Sequence, residues 1–417
     1  MKAFHNKWFV FFSMMFLFKP GILSGMSSLG AIDSLFDIMR ILLCFVCGLL
    51  LIKSTIPINR VSIVLGLIAC NEVWKILSSF MNGISYADWG ATLNVFGISI
   101  FTYLSLKQNP KAFFEGGSLL LGSYAVINTL TVFLFPNGMY ASSMYTMNFF
   151  LSYRTAWFIF YLEAAFLCLL NNELYPSKKA KKWLVFVLLC EYLSMIKVWT
   201  ATGLFCITLG LLLVYLWKKK RIPFFSVKVI IIVEIILCAI IVVFHMQEKF
   251  SFIIVEILKK DITFSQRVRI WNNALDAVLK SLKSLWIGYG AMNTSRAVSI
   301  LGYGVNHAHC YYLNTTLYYG IVGLGLGLYT IYYAFSGQTK NKIEQSVEFV
   351  NLGMLISLMT AFQVESMMSI GYYLCMMYIV AAYLNSKKQL LREVSSNSLC
   401  LSSPELVQVV VKHLTQN

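Results

Sequence analysis

Charged residues are scarce in this sequence, at 12% of the chain, whereas about 25% is usual in a soluble domain. Apolar residues reach 58%, and they recur in runs of about 17–24 residues, the length that spans a bilayer as a helix. This pattern excludes a soluble protein with one very large core. It predicts an all-α, polytopic membrane protein with about 12 transmembrane helices and one large extracytoplasmic loop that contains short helices.

Several motifs are also missing. The sequence has no phosphate-binding P-loop, no dinucleotide fingerprint and no zinc-protease motif. Two nearby histidines without a carboxylate pattern do not predict a metal site, so we expect neither metal nor other cofactor. Of the ten cysteines, only Cys310 is predicted near the outer surface, which leaves no partner there for a disulfide.

The predicted spans define the topology, with boundaries good to about three residues. Basic residues cluster in alternate short loops, whereas loops 81–87, 136–152 and 365–367 hold no Lys or Arg. Under the positive-inside rule both termini are cytoplasmic, and the net charge of +16 reflects topology, not nucleic-acid binding. The spans are 8–24, 36–52, 61–80, 88–106, 117–135, 153–171, 183–198, 201–217, 227–246, 313–335, 347–364 and 368–385.

The chain thus divides into four predicted parts. An N-terminal bundle (1–246) precedes an extracytoplasmic loop (247–312), three further spans (313–385) and a cytoplasmic tail (386–417). The loop is the one long polar segment, and its basic residues outnumber its acidic ones. A positive surface outside the membrane suits either anionic lipid headgroups or an anionic substrate.

Residues 265–285 of this loop are predicted to form one helix. An apolar stripe recurs at three- and four-residue steps through Trp271. Arg267 and Arg269 lie two positions apart, so about 200° separates them around the helix and one of them faces a site. A guanidinium suits phosphate because it donates two parallel hydrogen bonds, although a solvated polar face is the alternative.

The loop ends in Asn306-His307-Ala308-His309-Cys310, just before an apolar run. A neutral imidazole near its usual pKa accepts a proton from a hydroxyl, which makes His309 a candidate base supported by His307. A contact with lipid headgroups is the alternative. Gly320 and Gly323 follow within a span, where small residues let helices approach closely.

Two further cations are predicted at the outer ends of spans. Arg154 opens the sixth span and Lys197 ends the seventh; each is either an interfacial anchor or a ligand. Acidic residues inside spans usually face a cavity or the bundle interior. Glu72 is expected to pair with Lys75, three positions on, whereas Glu163, Glu191 and Glu234 have no predicted partner. 

Together these residues resemble the O-antigen ligase/polymerase superfamily of bacterial envelope glycosyltransferases. The family motif is a histidine, an Asn, Ser or Gln, nine free positions, a glycine, two free positions, and Gly, Thr or Tyr. Here His309 is followed by Cys310, which departs from it, then by Gly320 and Gly323 at the family spacing. Residues 267–275 resemble the family's R-x-x-x-W-x-x-A-L helix.

The resemblance implies an inverting, metal-independent polymerase of undecaprenyl-diphosphate-linked repeat units, acting at the outer face of the bacterial cytoplasmic membrane on capsular or O-antigen-type polysaccharide. His309 would then be the catalytic base, and Arg267, Arg269, Arg154 and Lys197 the candidate diphosphate ligands. His307, Trp271, Gly320 and Gly323 would support them. The implied partners are a lipid-linked oligosaccharide, membrane lipid, a flippase and a chain-length regulator, with no nucleic acid.

Three alternatives remain open. A ligase would transfer finished glycan to another acceptor and would use the same motif. A flippase or transporter would explain the acidic residues within spans, but it predicts internal repeats that the sequence lacks. A non-catalytic scaffold predicts that His309 and Arg267 are replaceable.

Overall fold

A computed structural model describes residues 2–54, 58–86, 88–141, 147–154, 156–244, 267–302, 304–337, 342–366 and 373–386. Helices dominate these residues, and the only β-pairing among them is a set of isolated antiparallel bridges around Asn148. Residues 247–266 of the predicted loop and residues 387–417 of the predicted tail (386–417) lie outside the described residues.

The first ten helices occupy the predicted N-terminal bundle. Asn59 and Asn109 cap α4 and α6 through their side chains, and Pro110 suits the first turn of α6 because that turn leaves its amide position unpaired. The helices are α1 (Lys7–Leu17), α2 (Gly21–Gly25), α3 (Gly30–Lys53), α4 (Arg60–Met81), α5 (Trp89–Gln108), α6 (Pro110–Leu134), α7 (Phe158–Leu174), α8 (Lys178–Lys197), α9 (Ala201–Lys218) and α10 (Val227–Val242).

The remaining six helices begin with three short ones from the polar loop. These are α11 (Arg267–Leu279), α12 (Leu282–Trp286) and α13 (Thr294–Leu301). Two long helices follow, α14 (Tyr311–Phe335) and α15 (Lys342–Ala361), and then the shorter α16 (Leu374–Ser386).

Six helical segments are long and apolar enough to cross a membrane: Lys7–Gly25, Ser27–Lys53, Arg60–Met81, Trp89–Gln108, Pro110–Leu134 and Ala201–Lys218. Their outer faces carry large apolar side chains, such as Ile38 and Phe45, that are 63% exposed. Such faces are stable in lipid rather than in water. The chain is therefore a multi-pass membrane protein. The other six predicted spans also fall on helices, but the count of twelve is not confirmed.

Helix α7 lies at the centre of the molecule. Every side chain from Phe158 to Asn171 is buried, and α6, α8, α9 and α15 pack against it. A helix that is apolar on all sides is the expected core element of a bundle. Glu163 lies within it, and its two carboxylate oxygens have no hydrogen-bond partner among the described residues.

Several predicted boundaries were wrong. The predicted loop helix 265–285 is two helices, because Ser281 caps a new helix with Ser284 and Leu282 turns outward, 77% exposed. The bounds of the first predicted span, 8–24, agree with the candidate span Lys7–Gly25, but its helix is interrupted near Pro20, which cannot continue helix α1. Arg154 precedes α7 instead of opening a span, because that helix begins only at Phe158.

Candidate active site

The histidine loop, residues 304–310, joins α13 to α14 and is held from both sides. The indole of Trp271 on α11 donates to the carbonyl of Ala308 at 2.8 Å. The amide of Ala308 donates to Asn314 Oδ1 on α14 at 2.9 Å, and the Tyr318 hydroxyl donates to the Asn306 carbonyl at 2.7 Å. Ala308, which lies between the two histidines, is thus fixed in position through its backbone.

This fixing places the two imidazoles against each other. The ring centroids of His307 and His309 lie 4.0 Å apart at an interplanar angle of 71°. His309 has φ +50°, a left-handed conformation that is uncommon for a side chain of this size. Such strain is maintained only where the surrounding contacts determine the backbone, as they do here.

Both histidines are kept neutral. Burial, and next the positive charge of Arg267, lowers the pKa of His307 to about 4. Burial, and next His307 and Arg267, lowers the pKa of His309 to about 2. The predicted pKa near the usual value was therefore wrong, because the sequence does not show how deeply the loop is buried. The Nδ1 atom of His307 is buried with no hydrogen-bond partner in the described part of the chain.

Arg267 lies beside the histidines at the start of α11. Its Nη1 donates to the Val364 carbonyl at 2.7 Å, and its Nη2 lies 3.7 Å from Glu365 Oε1. A guanidinium has five N–H donors, so further donors remain for a ligand. Arg269 is exposed on the other side of α11. As the spacing predicted, only one of the two arginines faces the histidine loop.

The segment 362–366, which follows α15, links the site to the bundle. The amide of Tyr311 donates to the Phe362 carbonyl at 2.8 Å, and the two rings stack with centroids 4.1 Å apart. Gln363 donates to Glu234 Oε2 on α10 at 2.8 Å. Glu234, for which the sequence offered no partner, thus anchors the segment that holds Arg267. Nothing in the local sequence distinguishes this segment.

Gly320 interrupts helix α14 instead of lying in a regular span. It has φ +69° and ψ −177°, and an added Cβ would lie 2.1 Å from the Trp286 carbonyl oxygen. The break frees backbone carbonyls, which Tyr289 and Gly290 bind through their amides: Tyr289 N donates to Leu317 O at 3.0 Å and Gly290 N to Tyr318 O at 2.7 Å. Gly320, which matches the glycine of the family motif, therefore allows the backbone of Tyr289 and Gly290 to hydrogen-bond to α14.

Helix α4 supports the same break. Trp74 Nε1 donates to the Tyr319 carbonyl at 2.8 Å, and Ser78 Oγ donates to the Ile287 carbonyl at 2.7 Å. Gly323 leaves room for Trp74, whose ring atoms lie 3.3 Å from the position of an added Cβ. This close approach of α4 and α14 agrees with the role predicted for small residues.

The other two predicted cations, Arg154 and Lys197, make no bond to the histidine loop among the described residues. The carbonyl of Arg154 accepts a hydrogen bond from Thr200 Oγ1 at 3.2 Å, and its guanidinium contacts the Met147 sulfur at 3.6 Å. Lys197 is exposed at the end of α8. Within the described ranges, no hydrogen bond or ion pair joins Arg154 or Lys197 to Arg267 or to the histidines.

Cys310 occupies the position where the family motif has an amide or a hydroxyl. Its sulfur lies 3.8 Å from that of Cys238 on α10. Both cysteines are free thiols, and their contact shows that the start of α14 lies against α10. As N-cap of α14, Cys310 makes no side-chain capping bond.

Sequence reasoning missed Asn314 and Tyr318, which hold the histidine loop. Their four-residue spacing places both on one face of α14, and polar residues at such a spacing in an apolar run were the available signal. The expected pair of Glu72 and Lys75 is present on α4.

The comparison with known families agrees with this geometry. Residues 184–328 match a family model described as O-antigen ligase, and that range includes α11 to α13, the histidine loop and the break at Gly320. No curated protein matches the chain. The match confirms, over residues 184–328, the resemblance read from the His309 motif, and this multi-pass membrane protein therefore contains a region similar to the O-antigen ligase family.

Proposed function

We propose that the protein is a glycosyltransferase that polymerises undecaprenyl-diphosphate-linked oligosaccharide repeat units at the outer face of the bacterial cytoplasmic membrane. The observation that supports this most strongly is the meeting of a guanidinium and two neutral imidazoles within the O-antigen ligase domain. A neutral imidazole accepts a proton, and a fixed cation stabilises a diphosphate.

In the proposed reaction, the hydroxyl oxygen of the acceptor sugar attacks the anomeric carbon of the donor. The bond from that carbon to the diphosphate oxygen breaks, and its electron pair leaves with the diphosphate. The hydroxyl proton passes to His309, and Arg267 stabilises the charge on the leaving group. Inversion at the anomeric carbon follows from this single displacement, which needs no metal.

The low pKa of His309 in the free protein fits a base that becomes stronger once the substrate is bound. Burial is the largest cause of that low pKa, followed by the charges of His307 and Arg267. A diphosphate beside Arg267 compensates for the part that comes from its charge, so the proton affinity of His309 rises when a donor is present. This favours proton transfer in the complex with the lipid-linked donor.

Polymerisation is the specific form that we propose for the transfer. A ligase would use the same residues on a different acceptor, and its product would be finished glycan moved from the lipid carrier. The proposed orientation has both termini in the cytoplasm. A flippase and a chain-length regulator are the proposed partners, since a repeat-unit polymerase needs donors delivered and chains terminated.

The test is complementation of a strain that lacks this protein. His309→Asn is the preferred variant because asparagine tolerates the left-handed conformation at this position. We expect wild type to restore a ladder of surface polysaccharide and the variant to leave single repeat units, with a transfer rate at least about a hundredfold lower. Membrane levels of both proteins are compared by immunoblot.

Arg267→Ala and Arg269→Ala form the matched pair for the leaving-group site. We expect Arg267→Ala to lower the rate at least about tenfold, because a charge-assisted contact is lost, and Arg269→Ala to stay within about twofold. Full-length polymer accumulating on the lipid carrier in the His309→Asn strain would instead identify a ligase. A normal ladder in that strain would contradict the proposed role of His309.

A further inference from the structure

A cavity of about 230 Å³ lies between α4 and α14, on the other side of the histidine loop's anchors. Asn314 and Tyr318 line it, and these two residues also hold the backbone of Ala308 and Asn306. The wall of the cavity and the support of the histidine loop are therefore the same turns of α14. Anything bound in the cavity contacts the residues that position His309.

The cavity is lined by charged groups. Glu72 and Lys75 form an ion pair on α4, and Glu72 Oε2 also accepts a hydrogen bond from Thr92 at 2.8 Å. Asp88, which is exposed, lies on the same lining. Burying an ion pair beside a membrane costs desolvation free energy that the attraction between the charges seldom recovers. The presence of the Glu72–Lys75 ion pair along a cavity, despite this cost, therefore points to a polar ligand that contacts it.

These groups have unused hydrogen-bonding capacity. An ammonium has three N–H donors, and Lys75 uses one of them on Glu72. The Asp88 carboxylate accepts no side-chain hydrogen bond and forms no ion pair with any described residue. Donors and carboxylate acceptors placed beside tyrosine rings match the hydroxyls and the apolar faces of a sugar ring.

Size and charge narrow the ligand further. The volume is below the range of about 300–1,000 Å³ typical for drug-sized ligands, so one sugar ring fits better than an oligosaccharide. Two carboxylates, Glu72 and Asp88, oppose the single ammonium of Lys75, which leaves one net negative charge. Such a site rejects uronic acids and other anionic sugars by like-charge repulsion and accepts neutral or amino sugars.

We propose that this cavity is a glycosyl subsite that binds one neutral or amino-substituted sugar ring of the glycan, selected by Glu72, Lys75 and Asp88. The proposal rests on the proposed transferase function and adds the class of sugar. A sugar bound here contacts Asn314 and Tyr318, the residues that hold the backbone of the histidine loop. The residues act on substrate recognition, whereas proton transfer stays with His309.

The experiment is saturation-transfer NMR on the full-length protein in detergent micelles. The probes are the methyl glycosides of glucose, N-acetylglucosamine, glucosamine and glucuronic acid. We expect transfer to the neutral and amino glycosides. Transfer to the glucuronide should be at least about tenfold weaker, because its carboxylate is repelled by the net negative charge of the cavity; a tenfold difference corresponds to about 1.4 kcal/mol.

Variants locate the binding. Asp88→Asn is expected to lower transfer to the glucosamine glycoside at least about fivefold. Asp88→Lys reverses the net charge, and it is expected to give transfer to the glucuronide. Asp276→Asn is the control, since Asp276 is an exposed carboxylate on α11 outside the cavity; it should leave all four signals unchanged.

Two results would overturn the subsite: no transfer to any glycoside, or transfer that is the same in wild type and in Asp88→Asn. The His309→Asn protein separates this inference from the proposed function. If that protein still binds the glycosides but also still makes polymer, the transferase role of His309 fails and the subsite stands. If the His309→Asn strain makes no polymer while Asp88→Asn leaves glycoside binding unchanged, the transferase role of His309 stands and the subsite fails.

Discussion

At the scale of single residues, the two buried histidines make the folded site sensitive to acid. Their folded pKa values, about 4 for His307 and about 2 for His309, lie below the usual value of about 6.5. The unfolded chain therefore binds protons that the folded loop does not bind. The contribution of the two neutral histidines to the free energy of unfolding is fully present above about pH 6.5. It is lost as the pH falls toward their pKa values in the folded protein.

We expect the apparent Tm in detergent to fall between pH 7.5 and pH 5, by scanning fluorimetry. Each histidine contributes at most about 2 kcal/mol to that loss at pH 5. His307→Gln removes one titrating group and should reduce the fall by about half. His5→Gln is the control, because His5 is exposed at the N-terminus. An equal fall in wild type and in His307→Gln would contradict the argument.

At the scale of one element, the break in α14 predicts opposite effects for two glycines of the same helix. Gly320→Ala adds a Cβ against the Trp286 carbonyl at a positive φ, so we expect a loss of about 3 kcal/mol or more. An alanine at Gly325 meets no atom within 4 Å. Gly325→Ala should therefore stabilise the helix, by about 0.5–1 kcal/mol.

Thermal unfolding of both purified variants in the same detergent measures this difference. A Tm for Gly320→Ala within the error of wild type would show that α14 adapts at the break without cost. A comparable drop in both variants would instead indicate a general intolerance of this helix to side chains.

How far the sequence predicts these elements depends on how local their determinants are. The six apolar spans and the pairing of Glu72 with Lys75 follow from length and from three-residue spacing. The break at Gly320 does not, because a glycine within an apolar run looks the same whether it packs a helix or interrupts it. The interruption depends on amides from Tyr289 and Gly290, about thirty residues away in the chain.

The site shows the same division. The motif spacing predicts His309 as a site residue, and the two-residue spacing predicts that Arg267 and Arg269 face different sides of their helix. The pKa of His309 and the anchoring of Arg267 by Val364 were not predictable, because both depend on segments that meet only in the folded bundle. The cavity was missed because its charged lining comes from α4 and from the start of α5, far from the motif in the chain.

At the scale of the whole molecule, the distribution of basic residues predicts which side of the membrane each loop faces. Lys280, after α11, is predicted outside, whereas Lys179, in the first turn of α8, is predicted inside. Both side chains are exposed. In intact cells, an impermeant maleimide should label Lys280→Cys and should label Lys179→Cys only after the membrane is opened.

The unsubstituted protein is the control for labelling, since it contains the exposed Cys70. Labelling of Lys179→Cys in intact cells would reverse the orientation and place the histidine loop in the cytoplasm. The proposed donor, presented at the outer leaflet, would then be out of reach.

The docking of α4 onto the broken helix has a consequence for evolution and for protein engineering. The family match begins at residue 184, yet Trp74 and Ser78, more than a hundred positions earlier, bind the carbonyl of Tyr319, just before Gly320, and the carbonyl of Ile287. The signature region is therefore not a transplantable module. A chimera that exchanges it between relatives should lose function unless α4 is exchanged with it, and substitutions in the two segments should accumulate together along the lineage.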